Sequence, residues 1–436
     1  MIVQRLACGV ALLALGAGGA TAQLVNGRLT TSFYTFERFD TVGTSRTYAR
    51  AFQAIQLSAA QGDISLNTYF LGAMNGTNEF GDNGRVRFYN LYLRWANIAN
   101  MGEFSLGRQA VYAGAGNGSI DGLAARVRLL ENSVTVQGYG GSVVKEEFTG
   151  VRSNWHDNLS YGGQIVTTAL PDARCAVSYM HRKEETDPYW TLRSRDTTFT
   201  PLPYYITPLP SEEEVGSVDV SYAYGNTATV YGRYDYDFLA KNTMRGQGAV
   251  RVNATPALAV TGEFIYRKPH VSFNSIFAAF TQNSVTEVEG GLEYQWTPLF
   301  RVFGKLGSVS YTDDNSLRWS GGIFCNYATI SYAGGKGYAG KFQSFNIQGS
   351  YPLFDRMVVP TAGVSWVSYK LSMETPRQEA LAILAGATVR PVKQFSFDVQ
   401  GQWMRNKLYN SDMRLQVRLM YWFAERLSLF SGEVKP

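Results

Sequence analysis

The sequence is short of several things that most folds depend on. Of its 436 residues only three are cysteine, three histidine and 14 proline. One cysteine, Cys8, falls in the N-terminal apolar stretch. That leaves Cys175 and Cys325, too few and too far apart for a disulfide framework or a metal cluster. Charged residues make up 17%, against about 25% in soluble domains. Beyond the N-terminus no run of 18 apolar residues exists, so no membrane-spanning helix is expected. The formal charge of +5 falls to +4 without Arg5, too mild to argue for a nucleic-acid partner.

Catalytic groups are equally sparse. A hydrolase nucleophile needs a base within hydrogen-bond reach. His156, His181 and His270 all fall in or beside long connections, and only His181, with Ser178 or Ser194 near it in sequence, could serve. Asp313-Asp314 reads as a hairpin turn and Gly334-Gly335-Lys336-Gly337 as a glycine-rich turn without phosphate-loop spacing. No cofactor or metal and no enzymatic activity is expected.

Glycine and aromatics are abundant instead: 44 Gly, 27 Tyr and 25 Phe. The first 22 residues read as a secretory signal. Arg5 gives the basic end, Ala7–Ala17 the apolar core and Ala20-Thr21-Ala22 the cleavage site. Residues 23–436 then form one domain whose dominant period is two. In Leu415–Phe423 apolar side chains alternate with Arg414, Gln416 and Arg418, and in Phe395–Trp403 with Ser396, Asp398, Gln400 and Gln402. Segments of 9 to 12 residues suit strands that cross a bilayer at a tilt.

Short turns alternate with long links. The turns lie near Gln61-Gly62-Asp63, Glu131-Asn132, Leu170-Pro171-Asp172, Gly225-Asn226, Thr255-Pro256, Thr297-Pro298, Leu353-Phe354-Asp355 and Pro391-Val392-Lys393. The expected fold is all-β: a transmembrane antiparallel up-and-down barrel of about 20 strands (18–22), with 22 if Leu317–Tyr332 holds an extra hairpin. Trp95, Trp296, Trp403, Tyr421 and Phe423 fall at strand ends, where aromatic girdles meet the lipid–water boundary.

In this architecture the chain resembles the large bacterial outer-membrane porin superfamily. A narrower resemblance lies in Leu106-Gly107-Arg108-Gln109 followed by Ile120-Asp121-Gly122, similar to a motif of alginate-export-type and related specific porins, with Ile120 where Phe is usual. The resemblance implies that Arg108 and Asp121 fix a strand and loop near a pore. It also implies residence in the bacterial outer membrane, with membrane lipid and small polar solutes as partners. Self-association into a homo-oligomer is compatible with it.

Since a charge facing mid-membrane lipid costs about 2–4 kcal/mol, charges sort inward. The expected pore lining is Arg94, Arg126 and Arg128 on one wall, with Glu287, Glu289 and Glu293 on the opposite one; the resemblance adds Arg108 and Asp121 to the lining. Two arrangements follow: a transverse field between a basic and an acidic wall, or a ladder in which neighbours neutralise each other. The Arg182–Glu214 loop, with Tyr189, Trp190, Tyr204 and Tyr205, is the candidate constriction. The competing functions are an outer-membrane lipid hydrolase and a non-conducting scaffold or adhesin barrel. The function expected is passive diffusion of small polar or charged solutes through a channel.

Overall fold

Why each segment becomes a strand follows from its alternation: one face of every segment is aliphatic or aromatic, the other polar, and only a closed sheet serves both at once. The computed structural model describes residues 23–41, 44–77, 84–144, 155–194, 201–269, 271, 280, 283–312, 314–338, 340–372 and 374–427. The secretory signal, His270, Asp313 and the side chain of Ser194 lie outside the described residues.

The strands run β1 (Gln23–Thr41), β2 (Thr44–Gln61), β3 (Ile64–Asn75), β4 (Val86–Ile98), β5 (Gly102–Ala113), β6 (Gly116–Leu129), β7 (Val134–Val143) and β8 (Leu159–Thr167). Next come β9 (Ala173–Glu184), β10 (Tyr189–Ser194), β11 (Pro201–Ile206), β12 (Ser211–Tyr224), β13 (Ala228–Asp237), β14 (Asn242–Asn253), β15 (Leu258–Arg267) and β16 (Val285–Thr297). The rest are β17 (Phe300–Tyr311), β18 (Asp314–Cys325), β19 (Ala328–Gly337), β20 (Gly340–Ser350), β21 (Val358–Lys370), β22 (Gln378–Val392), β23 (Phe395–Arg405) and β24 (Asp412–Leu427).

All but β10 and β11 form one 22-stranded sheet. Each strand pairs antiparallel with its sequence neighbour, β9 pairs with β12, and β1 closes on β24 from Gln23↔Leu427 to Thr35↔Leu415. The barrel therefore has 22 strands, the even number expected when both chain ends lie at one rim. The extra hairpin within Leu317–Tyr332 exists as β18 and β19. The Arg182–Glu214 segment departs from the expected loop. Strands β9 and β12 run into it, and between them β10 and β11 make a separate hairpin that joins no barrel strand.

The tight turns named above, and the turn between β4 and β5, share one rim with both ends of the barrel sheet, and several are closed by left-handed residues. Asn97, Asn100, Asn132 and Asp172 all have positive φ, a conformation that Asn and Asp tolerate through local side-chain hydrogen bonds.

The outside is apolar. Leu91, Leu93 and Trp95 on β4, Val288, Leu292 and Trp296 on β16, and Leu415 and Leu419 on β24 are all exposed. In water such a wall would be untenable; in hydrocarbon it is the required surface. Near the terminal rim Phe395, Tyr421 and Phe423 stack in a row, with Trp95 and Trp296 also facing out, as a girdle requires. The chain is a transmembrane β-barrel.

Candidate functional site: an inward-folded hairpin and a charged lumen

The barrel wall is continuous except where β5 and β6 leave it. Strand β4 pairs with β5 only from Ile98↔Gly102 to Leu91↔Arg108, and β6 pairs with β7 only up to Ile120↔Val143. Beyond those points β5 and β6 stay paired to each other as far as Ala113↔Gly116. The tip folds onto the inner face of β7–β9. The Ala115 N–H donates to Ser178 Oγ at 2.8 Å, and Arg182 donates to the Asn117 carbonyl. Ser178 lies on the face of β9 opposite the exposed Val177, so the contact is made inside the lumen.

The hairpin folds like a page whose inner side closes on the neighbouring wall. Val111, Ala113 and Ile120, on the side that would otherwise face the lumen, are buried in a cluster with Tyr139 of β7. The opposite side becomes the one that meets the lumen, where Tyr112 is 76% exposed.

The Leu106–Gln109 and Ile120–Gly122 motif lies at the crease, and each residue has a physical task there. Gly107 takes φ +125°, and a Cβ on it would sit 2.4 Å from the Leu91 carbonyl. Only glycine combines that backbone with that approach. Arg108 grips Asp121 with two bonds, Nε to Oδ1 and Nη2 to Oδ2, each 2.7 Å. Its Nη1 donates to the Phe88 carbonyl of β4 at 3.2 Å, an acceptor on the edge that β5 has abandoned. Gln109 bonds Ser105 and donates to the Gly122 carbonyl at 3.3 Å. At Gly122 a Cβ would lie 2.2 Å from the Gly140 carbonyl, so β6 and β7 meet there without side chains.

These positions correct the expected lining. Arg108 (7% exposed) and Asp121 share the side of Leu106 and Leu123, the side opposite Ser105 and Ala124, and are closed into the crease. They clamp the hairpin and do not line the pore. The other basic residues do face inward. Arg94 is held by Glu103 through Nε–Oε1 at 2.9 Å and Nη2–Oε2 at 2.8 Å, and Arg126 donates to Gln137 at 3.3 Å. Arg128 follows on the same side of β6, alternating with the exposed Val127 and Leu129.

Glu287, Glu289 and Glu293 face inward as expected, and of the two arrangements the ladder matches their partners. Glu287 is bound by Arg267 and by Arg318 (2.9 Å), and Glu289 by Lys305 (3.0 Å) and Arg318 (3.4 Å). Glu293 is bound by Arg251 (3.0 Å) and Arg301 (3.9 Å). Three glutamates are thus held by five cations, with Glu263 directly opposite Glu289 as a fourth carboxylate: a neutralising ladder instead of a bare acidic face. The ladder continues through Gln247–Glu263, Arg233–Asp235 and Arg174–Asp219. Most of these pairs are diagonal: Asp235 lies directly across from Arg245, but Glu263 faces Glu289 and Arg245 faces Arg267, so the long basic side chains reach carboxylates in neighbouring rows.

The one conceivable base–nucleophile combination and the candidate constriction are both placed elsewhere. His181 stacks on Tyr161 outside the barrel with Nε2 3.6 Å from Glu212, whereas Ser178 faces the lumen from the same strand. They stand on opposite faces and cannot act as base and nucleophile. Tyr189, Trp190, Tyr204 and Tyr205 are exposed on the β10–β11 hairpin, and the element that fills lumen space is β5–β6. The sequence signal for that element was the glycine-dense Gly114–Gly118 tip just after the motif. Among the described residues no group of three or more His, Cys, Asp or Glu could hold a metal.

No protein-family model matches the chain, and no curated protein matches it. Among solved structures it is similar to the P pilus usher PapC translocation pore, at 8% identity and a TM-score of 0.47 over 92% of this chain and 99% of that one. It is also similar to OpdK of Pseudomonas aeruginosa with vanillate, at 8% identity and a TM-score of 0.41 over 92% and 99%. A third is OccK2 of the same organism with glucuronate, at 8% identity and a TM-score of 0.40 over 92% and 98%.

Proposed function

We propose that this protein is a channel of the bacterial outer membrane through which small polar solutes diffuse passively. One observation carries the reading: a closed 22-stranded wall, apolar outside, whose inner face bears a ladder of ionised side chains. Such charges need water around them, since dehydrating an unrelieved ion costs several kcal/mol. A lumen of this circumference, left unfilled, is a wide aqueous passage. The β5–β6 hairpin narrows it, with Tyr112 as the side chain that projects furthest from cover.

The five cations around Glu287, Glu289 and Glu293 bias the passage toward anions by raising their local concentration. Membrane lipid is the partner of the outer surface. The test is reconstitution into planar bilayers and liposomes. Stepwise conductance, with entry of small sugars and carboxylates into the liposomes, is expected. Tyr112→Ala should raise the single-channel conductance and leave stability within about 0.5 kcal/mol, since an exposed side chain is removed. An electrically silent, impermeable barrel would instead be a scaffold.

A further inference from the structure

Along one sector the inner wall is aromatic. On β1 and β2 Tyr34, Phe36 and Tyr48 form a stacked row, with centroids 5.3 and 5.5 Å apart, and Arg50 lies over the ring of Phe52. Lower down, Tyr69 of β3 stacks on Tyr89 of β4 at 5.2 Å, because an irregularity in the β3–β4 register turns Tyr89 inward. Tyr92 follows on the same face. These residues alternate with the exposed Phe33, Met74 and Leu91, which fixes them on the lumen side.

The cross-strand rows give their order from one rim inward. Phe36↔Tyr48 comes first, then Tyr34↔Arg50, Ser32↔Phe52, the ring-free row Thr30↔Ala54↔Leu71, Arg28↔Gln56↔Tyr69 and finally Asn26↔Ser58↔Asn67↔Tyr92. At about 3.3 Å per residue, the rows from Phe36 to Asn26 cover roughly 33 Å. At the lower end a recess of about 620 Å³ is lined by Arg28, Gln56, Tyr69, Asn90, Tyr92 and Trp422.

Elsewhere on the inner wall aromatics occur as single pairs, Phe303 on Phe324 and Phe342 opposite Tyr369, while one inner row of β19–β22 holds only Ser331, Asn346, Ser365 and Ala382; β1–β4 is the sector where rings follow one another. Girdle physics accounts for rings on the lipid side only. Tyr48 is buried by the protein itself, while Tyr34, Phe36, Phe52, Tyr69, Tyr89 and Tyr92 are half-buried; the apolar area they leave open, worth about 25 cal/mol per Å², can be covered by a solute with an apolar face.

We propose that this sector is a binding track for a linear oligosaccharide of hexopyranose units. A pyranose ring has C–H faces that pack on an aromatic π-surface, and an equatorial belt of hydroxyls. Arg28, Gln56, Asn67 and Asn90 stand between the rings as donors and acceptors for that belt. The length of the track selects a chain of sugars over a single one. Entry of the chain rests on the channel reading; binding does not.

The test is isothermal titration of the detergent-solubilised full chain with maltohexaose and with hexagalacturonate, using polyethylene glycol of equal size as control. At least one hexasaccharide is expected to bind. Affinity should fall tenfold or more in Tyr69→Leu/Tyr89→Leu, persist in Tyr69→Phe/Tyr89→Phe, and stay unchanged in the lipid-facing Trp296→Ala. Heat-modifiable gel mobility identifies folded variants, and the phenylalanine pair keeps the test open if the leucine pair misfolds, because binding lost there too would overturn the track. Binding of neither sugar beyond the polymer, or undiminished binding in a folded leucine variant, overturns the proposal. Bilayer recording separates the two readings: conductance without sugar binding removes the track alone, and binding without conductance removes the channel alone.

Discussion

The backbone N–H of Ala115 donates to Ser178 Oγ at 2.8 Å across 63 residues of sequence, tying the tip of the β5–β6 hairpin to the inner face of β9. One such bond is worth about 0.5–1.5 kcal/mol net, less than the cluster of Val111, Ala113, Ile120 and Tyr139 beneath the same hairpin. Ser178→Ala should therefore leave single-channel conductance unchanged. Ser178→Phe puts a ring where the Gly114 Cβ position already lies 2.1 Å from Ser178 Oγ. It should push the tip into the lumen or off the wall, and conductance should change by more than a third. Equal currents from both variants would show that the tip is not seated there.

The crease depends on a buried ion pair. Removing one partner of such a pair leaves the other charge uncompensated, at a cost of about 3–5 kcal/mol. Asp121→Ala should lower the urea midpoint for unfolding from liposomes and add flicker to the open-channel current. Arg108→Met/Asp121→Leu should recover much of the stability, because neither charge is then stranded, though the Phe88 carbonyl loses its donor. A single variant as stable and quiet as the parent would remove the clamp from the account.

Lumen charge should set ion preference. Glu289→Gln leaves Lys305 and Arg318 less compensated, so the reversal potential in a salt gradient should move toward anion selectivity. Arg126→Glu/Arg128→Glu should move it toward cations. The opposed signs are the diagnostic result; shifts of the same sign would mean that current does not pass these residues.

The outer face gives a control that does not involve the pore. Leu292 is exposed near the middle of β16, between inward Gly291 and Glu293. Leu292→Arg should cost about 2–4 kcal/mol in bilayer unfolding experiments. The same substitution at Gln295, which faces inward near the terminal rim, should cost far less. Comparable losses would put the inside–outside assignment of β16 in error.

Most of the architecture could be read from the chain because it is local. Period-two alternation places Leu292 outside and Glu293 inside before any fold is known, since successive strand side chains point to opposite faces. Turn residues such as Asn132 and Asp172 mark the hairpins for equally local reasons. The hairpin of β18 and β19 was the uncertain one, because Gly321-Gly322 and Gly334-Gly335 carry no face-defining side chain.

What the tertiary structure decided is everything that depends on which strands are neighbours. The motif resemblance put Arg108 and Asp121 near the pore and alternation put them on the side of Leu106 and Leu123, but only the inward fold of β5–β6 closed them into a crease. Alternation put Glu287, Glu289 and Glu293 on one inner face, but only closure with β15, β17 and β18 brought the cations that hold them. The physical reason is the same in both cases. A side chain's facing is fixed by its own φ and ψ, whereas its electrostatic partner is fixed by how neighbouring strands align, and by where a glycine such as Gly107 lets the sheet leave its own wall.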